Sequence, residues 1–226
     1  MEFSAAIFDV DGTLLDSMPL WEHVGEQYLI GKGCNPKSDM EERVRTMSMS
    51  QIADYCRTEY GIADSPETII EEINGMVLEQ YRTQVQAKPG IPELLERLKG
   101  EGVRLAVATA SDRCLIEPAL ERTGLLPYFD LFLTCSEVGA GKDSPAIFLK
   151  AAETLETVPE QMVVFEDSLY AMKTAARAGF LLAGIFDESA AGEQEEIQAL
   201  ADWYFAAPAN WNALFQQKKP GNTYEI

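Results

Sequence analysis

Four separated segments of the sequence place carboxylate, hydroxyl and ammonium groups directly after short apolar runs or in the turn that follows one. The first holds two aspartates, Asp9 and Asp11, on either side of one valine and just before Gly12. The other segments contribute Thr109, Ala110 and Ser111, then Lys142, and then Glu166, Asp167 and Ser168. If the runs are parallel strands, their carboxyl ends share one edge of a sheet, and we expect these groups to meet in a single crevice.

Several carboxylates in one crevice repel one another unless a cation lies between them. Because oxygen ligands dominate this set, Mg²⁺ is the expected ion, and its preference for phosphate oxygens makes a phosphate ester the leading substrate hypothesis. One aspartate of the pair could attack phosphorus, and the other could exchange a proton with the leaving group and with water. Lys142, the Thr109 hydroxyl and backbone N–H groups of the turn at Gly12 would neutralise the phosphoryl oxygens.

The surrounding pattern predicts the elements that position these groups. Apolar runs alternate with stretches of helical periodicity, which is typical of a doubly wound, Rossmann-like α/β fold with a parallel sheet. Ser111 is expected to cap a helix, and Gly124 and Gly179 are expected to end two others. The predicted strands are 3–9, 103–109, 130–134, 161–165, 181–186 and 202–206, and the predicted helices between them are 92–100, 112–123, 144–156, 169–179 and 193–200.

Residues 17–87 break this alternation. They have no convincing strand and read as four helices near 18–30, 39–47, 50–60 and 66–86. The sequence therefore predicts a helical cap domain at 17–87, inserted into an α/β core formed by residues 1–16 and 88–217. Residues 218–226 are expected to form a frayed tail.

Charge and composition exclude several function classes. The chain of 226 residues has 18 Lys and Arg against 37 Asp and Glu, a formal charge of −19, which argues against binding to nucleic acid or an anionic membrane. No apolar run reaches the roughly 18–20 residues that span a bilayer, and the first residues do not resemble a signal peptide. The four cysteines are widely spaced, which favours reduced thiols and a cytoplasmic location. A single histidine, His23, excludes His-rich zinc sites, and a monomer is the default expectation.

Taken together, the four segments resemble the signature motifs of the haloacid-dehalogenase-like superfamily. The helical insert after the first motif is similar to the cap of its β-phosphoglucomutase and phosphatase branch. The motifs read Ile-Phe-Asp-Val-Asp-Gly-Thr-Leu-Leu-Asp-Ser at 7–17, Ala-Thr-Ala-Ser at 108–111, Gly-Lys-Asp-Ser-Pro at 141–145 and Val-Val-Phe-Glu-Asp-Ser at 163–168. The resemblance implies that Asp9 is the nucleophile and Asp11 the general acid/base. It also implies that Thr109 and Lys142 bind the phosphoryl group, and that Mg²⁺ is held by Asp9, the Asp11 carbonyl and Asp167, with help from Glu166.

The same resemblance separates activities within the superfamily. Its dehalogenases lack the second aspartate, which is present here as Asp11. Its β-phosphoglucomutases carry a gating histidine and a phosphate-gripping arginine in the cap, where this sequence has Trp21 and Met49. His23 and Arg45 lie two and four residues from those positions. The stretch from Asp16 to Trp21 is similar to hexose- and hexitol-phosphate phosphatases.

These comparisons favour hydrolysis of a small phosphorylated metabolite, with a sugar or polyol phosphate as the expected substrate. A phosphosugar mutase is the alternative, and a non-catalytic module that binds a phosphate ligand is a third possibility. Trp21, Met49 and Ser111 are the candidate substrate contacts beyond the phosphate, although aromatic and methionine residues at helical spacing are also typical of a core.

Overall fold

The structure, a computed structural model, describes residues 3–44, 47–206 and 211–215. Six parallel strands form one sheet with the order β3-β2-β1-β4-β5-β6. This topology confirms the predicted doubly wound, Rossmann-like fold. The strands are β1 Ala5–Phe8, β2 Arg104–Thr109, β3 Leu131–Thr134, β4 Met162–Glu166, β5 Leu181–Ile185 and β6 Trp203–Phe205.

The central strand explains why the strands read as unbroken apolar runs. In β1, Ala6 and Phe8 join the apolar cluster on one face of the sheet, whereas Ala5 and Ile7 join the cluster on the other. Both faces are covered by helices, so each strand position is buried and no polar alternation is required. Phe8 pairs with Val107 of β2 and with Phe165 of β4, so the three strands end at nearly the same level.

The helices of the α/β body follow the predicted alternation. Gly124 and Gly179 follow two of the helices with φ values of +74° and +89°, as expected for glycines that end a helix. Ser111 is not a helix cap, because the helix starts at Arg113 and Asp112 occupies the N-cap position. The short helix α7 was not predicted. The helices are α5 Ile91–Gly100, α6 Arg113–Arg122, α7 Cys135–Val138, α8 Ala146–Thr154, α9 Leu169–Arg177 and α10 Gln194–Leu200.

The described residues of the insert between β1 and α5 form four helices: α1 Met18–Gly31, α2 Met40–Val44, α3 Met49–Tyr60 and α4 Pro66–Thr83. The prediction of four helices is confirmed, although part of the second predicted helix lies at residues 45 and 46, outside the described residues. Capping explains two starts, since the Ser48 and Ser65 hydroxyls accept backbone N–H groups of α3 and α4. The helix α4 packs against α1, α3 and α6, and thereby ties the insert to the body.

Two backbone hydrogen bonds join the chain where it leaves and re-enters the body. The Asp16 amide donates to the Gln86 carbonyl, and the Lys88 amide donates to the Leu14 carbonyl, each at 2.9 Å. The placement of the domain boundaries at residues 16/17 and 87/88 stays a prediction that fits this connection. The predicted tail at 218–226 lies outside the described residues.

Two general features bear on the expectations from composition. In the described part of the chain, no helix combines the length and apolar character needed to cross a membrane. All four cysteines are free thiols, and two of them, Cys56 and Cys135, are buried.

Candidate active site

The carboxyl ends of β1, β2 and β4 form one wall of a cavity of about 520 Å³, and the helical insert forms the opposite wall. Asp9 and Asp11 follow β1 and both line the cavity, while Val10 between them is buried in the core. Ala110 and Ser111 come from the end of β2. Lys142 and Glu166 also line this wall. The structure therefore brings the four segments together as the sequence suggested.

Lys142 is buried and bridges two carboxylates on the sheet side. Its ammonium nitrogen donates to Asp9 Oδ1 and, at 2.6 Å, to Glu166 Oε1. The other oxygen of Glu166 accepts the backbone N–H groups of Asp167 and Ser168, both at 3.0 Å. Glu166 thus fixes the lysine beside Asp9 with one oxygen and the turn after β4 with the other.

The charges of this cluster do not balance. Three buried carboxylates, those of Asp9, Glu166 and Asp167, place oxygens within 4.8 Å of one another. Burial raises the pKa of Asp9 to about 8 against the opposing effect of Lys142. Burial, together with the Glu166 and Asp9 charges, also raises the pKa of Asp167 well above its ordinary value. Since one ammonium faces three carboxylates, the cluster suits an additional divalent cation.

Gly12 supports this cation site through its lack of a side chain. It adopts a φ of +81°, and a Cβ atom added to it would lie 2.4 Å from Asp167 Oδ2. The Thr13 hydroxyl donates to the other oxygen, Asp167 Oδ1, at 2.9 Å. Thr13 therefore holds the Asp167 carboxylate, and glycine at residue 12 leaves the room that this carboxylate occupies, since a side chain there would force it or the turn to move. The donor set, made of carboxylate oxygens, fits Mg²⁺.

The phosphate-binding candidates differ in how they are placed. Thr109 is fully buried, and its hydroxyl oxygen accepts the Ser111 amide at 3.1 Å, so its hydrogen remains free to donate. The Gly12 amide donates to the Leu15 carbonyl at 3.0 Å and is therefore used within the turn. Lys142 and Ala110 line the cavity. Their roles toward a phosphate stay predictions.

Asp11 is held by three hydroxyl groups. Ser17 and Tyr81 both donate to its Oδ1, Ser17 at 2.6 Å, and Ser111 donates to Oδ2 at 2.6 Å. Sequence reasoning missed the contacts of Ser17 and Tyr81. Ser17 could have been found, because it ends the first motif, but Tyr81 lies 70 residues from Asp11 and no spacing pattern connects the two.

The wall formed by the insert is largely apolar. Trp21 and Met49, the predicted substrate contacts, both line it, and His23 and Glu41 are exposed where they border the cavity. Among the described residues that line the cavity, Lys142 is the only lysine or arginine; Arg45 lies outside the described residues. The further lining residues of the insert are Met18, Val24, Gly25, Met40, Glu42, Val44, Met47, Ile52, Tyr55, Cys56 and Ile73.

Comparison with known proteins agrees with this geometry. Residues 3–179 match the family of haloacid dehalogenase-like hydrolases. A phosphorylated carbohydrates phosphatase of Thermotoga maritima is 30% identical over 77% of this chain and 81% of its own length. A β-phosphoglucomutase of Bacillus subtilis is 27% identical over 80% of this chain and 82% of its own length. The structure of CbbY from Rhodobacter sphaeroides with xylulose-1,5-bisphosphate has a TM-score of 0.80, at 24% identity, and covers 92% of this chain and 96% of that one.

The chain combines a parallel α/β sheet, a helical insert after the first strand and buried carboxylates at the carboxyl edge of the sheet, where α/β folds bind their ligands. The chain belongs to the haloacid dehalogenase-like hydrolase family. Within that family, its relatives include a phosphorylated carbohydrates phosphatase and a β-phosphoglucomutase.

Proposed function

We propose that the protein is a Mg²⁺-dependent phosphatase that hydrolyses a small phosphomonoester, a sugar or polyol phosphate, through an aspartyl-phosphate intermediate. The observation that carries this proposal is the arrangement of the two aspartates. Asp9 lies buried beside Lys142, whereas Asp11 lies two residues further on and is held by hydroxyl groups. One carboxylate is thus paired with a cation, and the other is placed among groups that can share a proton.

In the first step, an oxygen of Asp9 attacks phosphorus and the bond from phosphorus to the ester oxygen breaks. Asp11 gives its proton to that oxygen, so the leaving group departs as a neutral alcohol. In the second step, water attacks the phosphorus of the aspartyl phosphate and Asp11 takes the proton from the water. Inorganic phosphate leaves, and Asp9 is restored.

Lys142 and the groups after β2 serve the transferred phosphoryl group. The Lys142 ammonium already contacts Asp9 Oδ1, so it lies beside the oxygens that gain charge during the attack. The Thr109 hydroxyl hydrogen and the backbone of Ala110 are the further proposed contacts. Gly12 is proposed to let the substrate approach the turn closely.

Asp9 and Asp167 would hold Mg²⁺ through their carboxylates, and Asp11 through its backbone carbonyl. Glu166 would assist mainly by orienting Lys142 and the turn after β4, since both of its oxygens are hydrogen-bonded. When bound, the ion would neutralise phosphate oxygens and offset the excess of buried negative charge.

The substrate class is supported by the relatives and by the cavity. The relative from Thermotoga maritima carries the name phosphorylated carbohydrates phosphatase. The cavity of about 520 Å³ is large enough for a small organic phosphate, and it lies between the proposed nucleophile and the insert.

A direct test is the hydrolysis of p-nitrophenyl phosphate and of a panel of sugar and polyol phosphates, with Mg²⁺ and with EDTA. We expect phosphate release that requires Mg²⁺, and rapid quenching should trap phosphate on Asp9 as an acid-stable, hydroxylamine-sensitive adduct. Binding of vanadate should also be much tighter with Mg²⁺ than without it. Release of phosphate that is unaffected by EDTA would contradict the proposal.

A phosphosugar mutase is the second candidate, because one relative is a β-phosphoglucomutase. The described residues argue against it, since the one lysine that lines the cavity is engaged by Asp9 and Glu166. A second phosphate would therefore find no cation among the described lining residues, at a cost of a few kcal/mol. Incubation of β-glucose 1-phosphate with a trace of the bisphosphate distinguishes the two: a phosphatase releases inorganic phosphate, whereas a mutase forms glucose 6-phosphate.

A non-catalytic binding module is disfavoured by the same pair of aspartates. Binding a phosphate ligand does not require a second carboxylate, such as that of Asp11, held by hydroxyl groups two residues after the proposed Mg²⁺ ligand Asp9. Binding of phosphate without turnover of any panel substrate would favour the module.

A further inference from the structure

The hydrogen-bond network of Asp11 continues into the insert. Tyr81, near the end of α4, is completely buried, and its hydroxyl reaches Asp11 Oδ1. Behind it, the indole nitrogen Nε1 of Trp21, on α1, donates to the same Tyr81 hydroxyl. The two rings meet edge to face, with centroids 6.3 Å apart and an interplanar angle of 68°. Two helices of the insert thus converge on one carboxylate of the sheet edge.

The Trp21 indole fixes the direction of both hydrogen bonds in this network. An indole N–H can only donate, so the Tyr81 oxygen must accept from Trp21. The single hydroxyl hydrogen of Tyr81 is then directed toward Asp11, whose carboxylate accepts it. Without the indole, the buried Tyr81 hydroxyl would lose the partner that orients it.

We propose that Trp21 is a positioning residue for Asp11 and acts through Tyr81. The inference rests on the acid/base role proposed above for Asp11. Trp21 borders the cavity, but its only polar atom is given to Tyr81, so its contact with a substrate is limited to the ring. The identity of residue 21 therefore matters for proton transfer as well as for the shape of the cavity wall.

The decisive experiment compares two substrates of similar shape and different leaving groups. The p-nitrophenolate leaving group departs without protonation, whereas the alkoxide of benzyl phosphate needs a proton from Asp11. W21F keeps an aromatic ring, smaller than the indole, and removes the N–H. Because kcat/KM reports the transfer of the phosphoryl group to the enzyme, we expect W21F to lower kcat/KM for benzyl phosphate about 10-fold and for p-nitrophenyl phosphate less than about threefold.

The Y81F variant gives the second measurement. The double variant tests whether Trp21 acts on Asp11 through Tyr81. Y81F should show the same selective loss, at least as large as that of W21F. If Trp21 acts only through Tyr81, W21F/Y81F should be no slower than Y81F alone, within about twofold. Fully additive losses would overturn the proposal.

Two matched controls separate this effect from packing. Trp211 is buried, and its indole nitrogen has no hydrogen-bond partner among the described residues, so W211F removes an indole N–H that contacts neither Tyr81 nor Asp11. Tyr28 is a buried tyrosine of α1 whose hydroxyl donates to Glu72 at 3.1 Å, so Y28F removes a hydroxyl-to-carboxylate bond in the same insert. Both controls should leave the ratio of the two kcat/KM values unchanged.

The outcomes distinguish this inference from the proposed function. If the wild-type protein hydrolyses neither substrate with Mg²⁺, the proposed function itself fails. If the wild-type protein is active and W21F lowers kcat/KM equally for both substrates, or for neither, Trp21 does not position Asp11 and only the inference is overturned.

Discussion

On the sheet side of the cavity, Lys142 is buried and hydrogen-bonded to the buried carboxylates of Asp9 and Glu166, and the partly buried Asp11 is held by hydroxyl groups. On the insert side, the lining residues are mostly apolar and contact one another by packing, and the ionisable groups His23 and Glu41 are exposed. A buried charge needs a specific partner, whereas an apolar wall tolerates exchange of side chains of similar size. The sheet wall should therefore carry the chemical groups of the reaction, and the apolar side chains of the insert wall should determine which phosphate ester reacts. Trp21, which acts through Tyr81 on Asp11, is the exception proposed above.

The largest effect is expected at the nucleophile. D9N keeps the shape of the side chain but removes the attacking carboxylate, so kcat for p-nitrophenyl phosphate should fall by about 10⁴-fold or more. The control is D16N, a change in the same loop at an exposed residue. If D9N kept more than a tenth of the activity, Asp9 would not be the nucleophile and the sheet wall would lose its assigned role.

The next effect is expected at Lys142, in both activity and stability. K142M leaves Asp9 and Glu166 buried without their shared ammonium, which should cost about 3–5 kcal/mol of unfolding free energy and lower Tm by about 10 °C. The kcat should fall by about 10²–10³-fold. Calorimetry and steady-state kinetics measure the two effects.

The control for this change is K150M. Lys150 pairs with Glu153 on the surface, where both side chains are more than half exposed. Its loss should change stability by less than about 1 kcal/mol. Equal melting temperatures for K142M and K150M would show that the buried pair is not what distinguishes the sheet wall.

The contrast between the walls also explains which parts of the fold and of the site could be predicted from the sequence. Each group of the sheet wall follows a strand or a turn next to one, and apolar runs mark those strands, so Asp9, Lys142 and Asp167 could be assigned to one crevice from spacing alone. The strand and helix positions were predictable for the same reason. Ser111 was assigned to a helix start, because a serine before a helix is usually a cap, yet its hydroxyl donates to Asp11.

Contacts between distant elements could not be predicted in this way. Tyr81 reaches Asp11 only because α4 packs along α1 and α6, and that packing depends on many apolar contacts at once. The partner of the Trp21 indole was hidden for the same reason. Without the fold, helical periodicity marks both residues as core or wall positions and says nothing about their polar atoms.

A smaller effect is expected at Gly12, which lies against the proposed Mg²⁺ ligand Asp167. G12A places a Cβ atom against Asp167 Oδ2 and should displace this carboxylate, so the Mg²⁺ concentration for half-maximal activity should rise about 10-fold. The control is G102A, at a glycine with a similar φ of +78° and no atom within 4 Å of the added Cβ. Both variants carry the strain of a positive φ, so only a difference in Mg²⁺ dependence reports on the approach of Asp167. Equal Mg²⁺ dependence would show that Gly12 is required for the turn alone.

The smallest effect on chemistry, and the one that tests the insert wall, is expected at Met47. This residue is half-buried and lines the cavity from the insert. M47A should leave kcat for p-nitrophenyl phosphate within about twofold of the wild-type value, because the sheet wall is intact. The lost apolar contact should act through KM and change the ratio of kcat/KM values between two sugar phosphates by up to about 10-fold. Met76, which is 37% exposed on α4 and does not line the cavity, provides the control M76A. If M47A slowed p-nitrophenyl phosphate and every sugar phosphate by one common factor, Met47 would contribute to the chemical step, and the assignment of the apolar insert wall to substrate selection would be wrong.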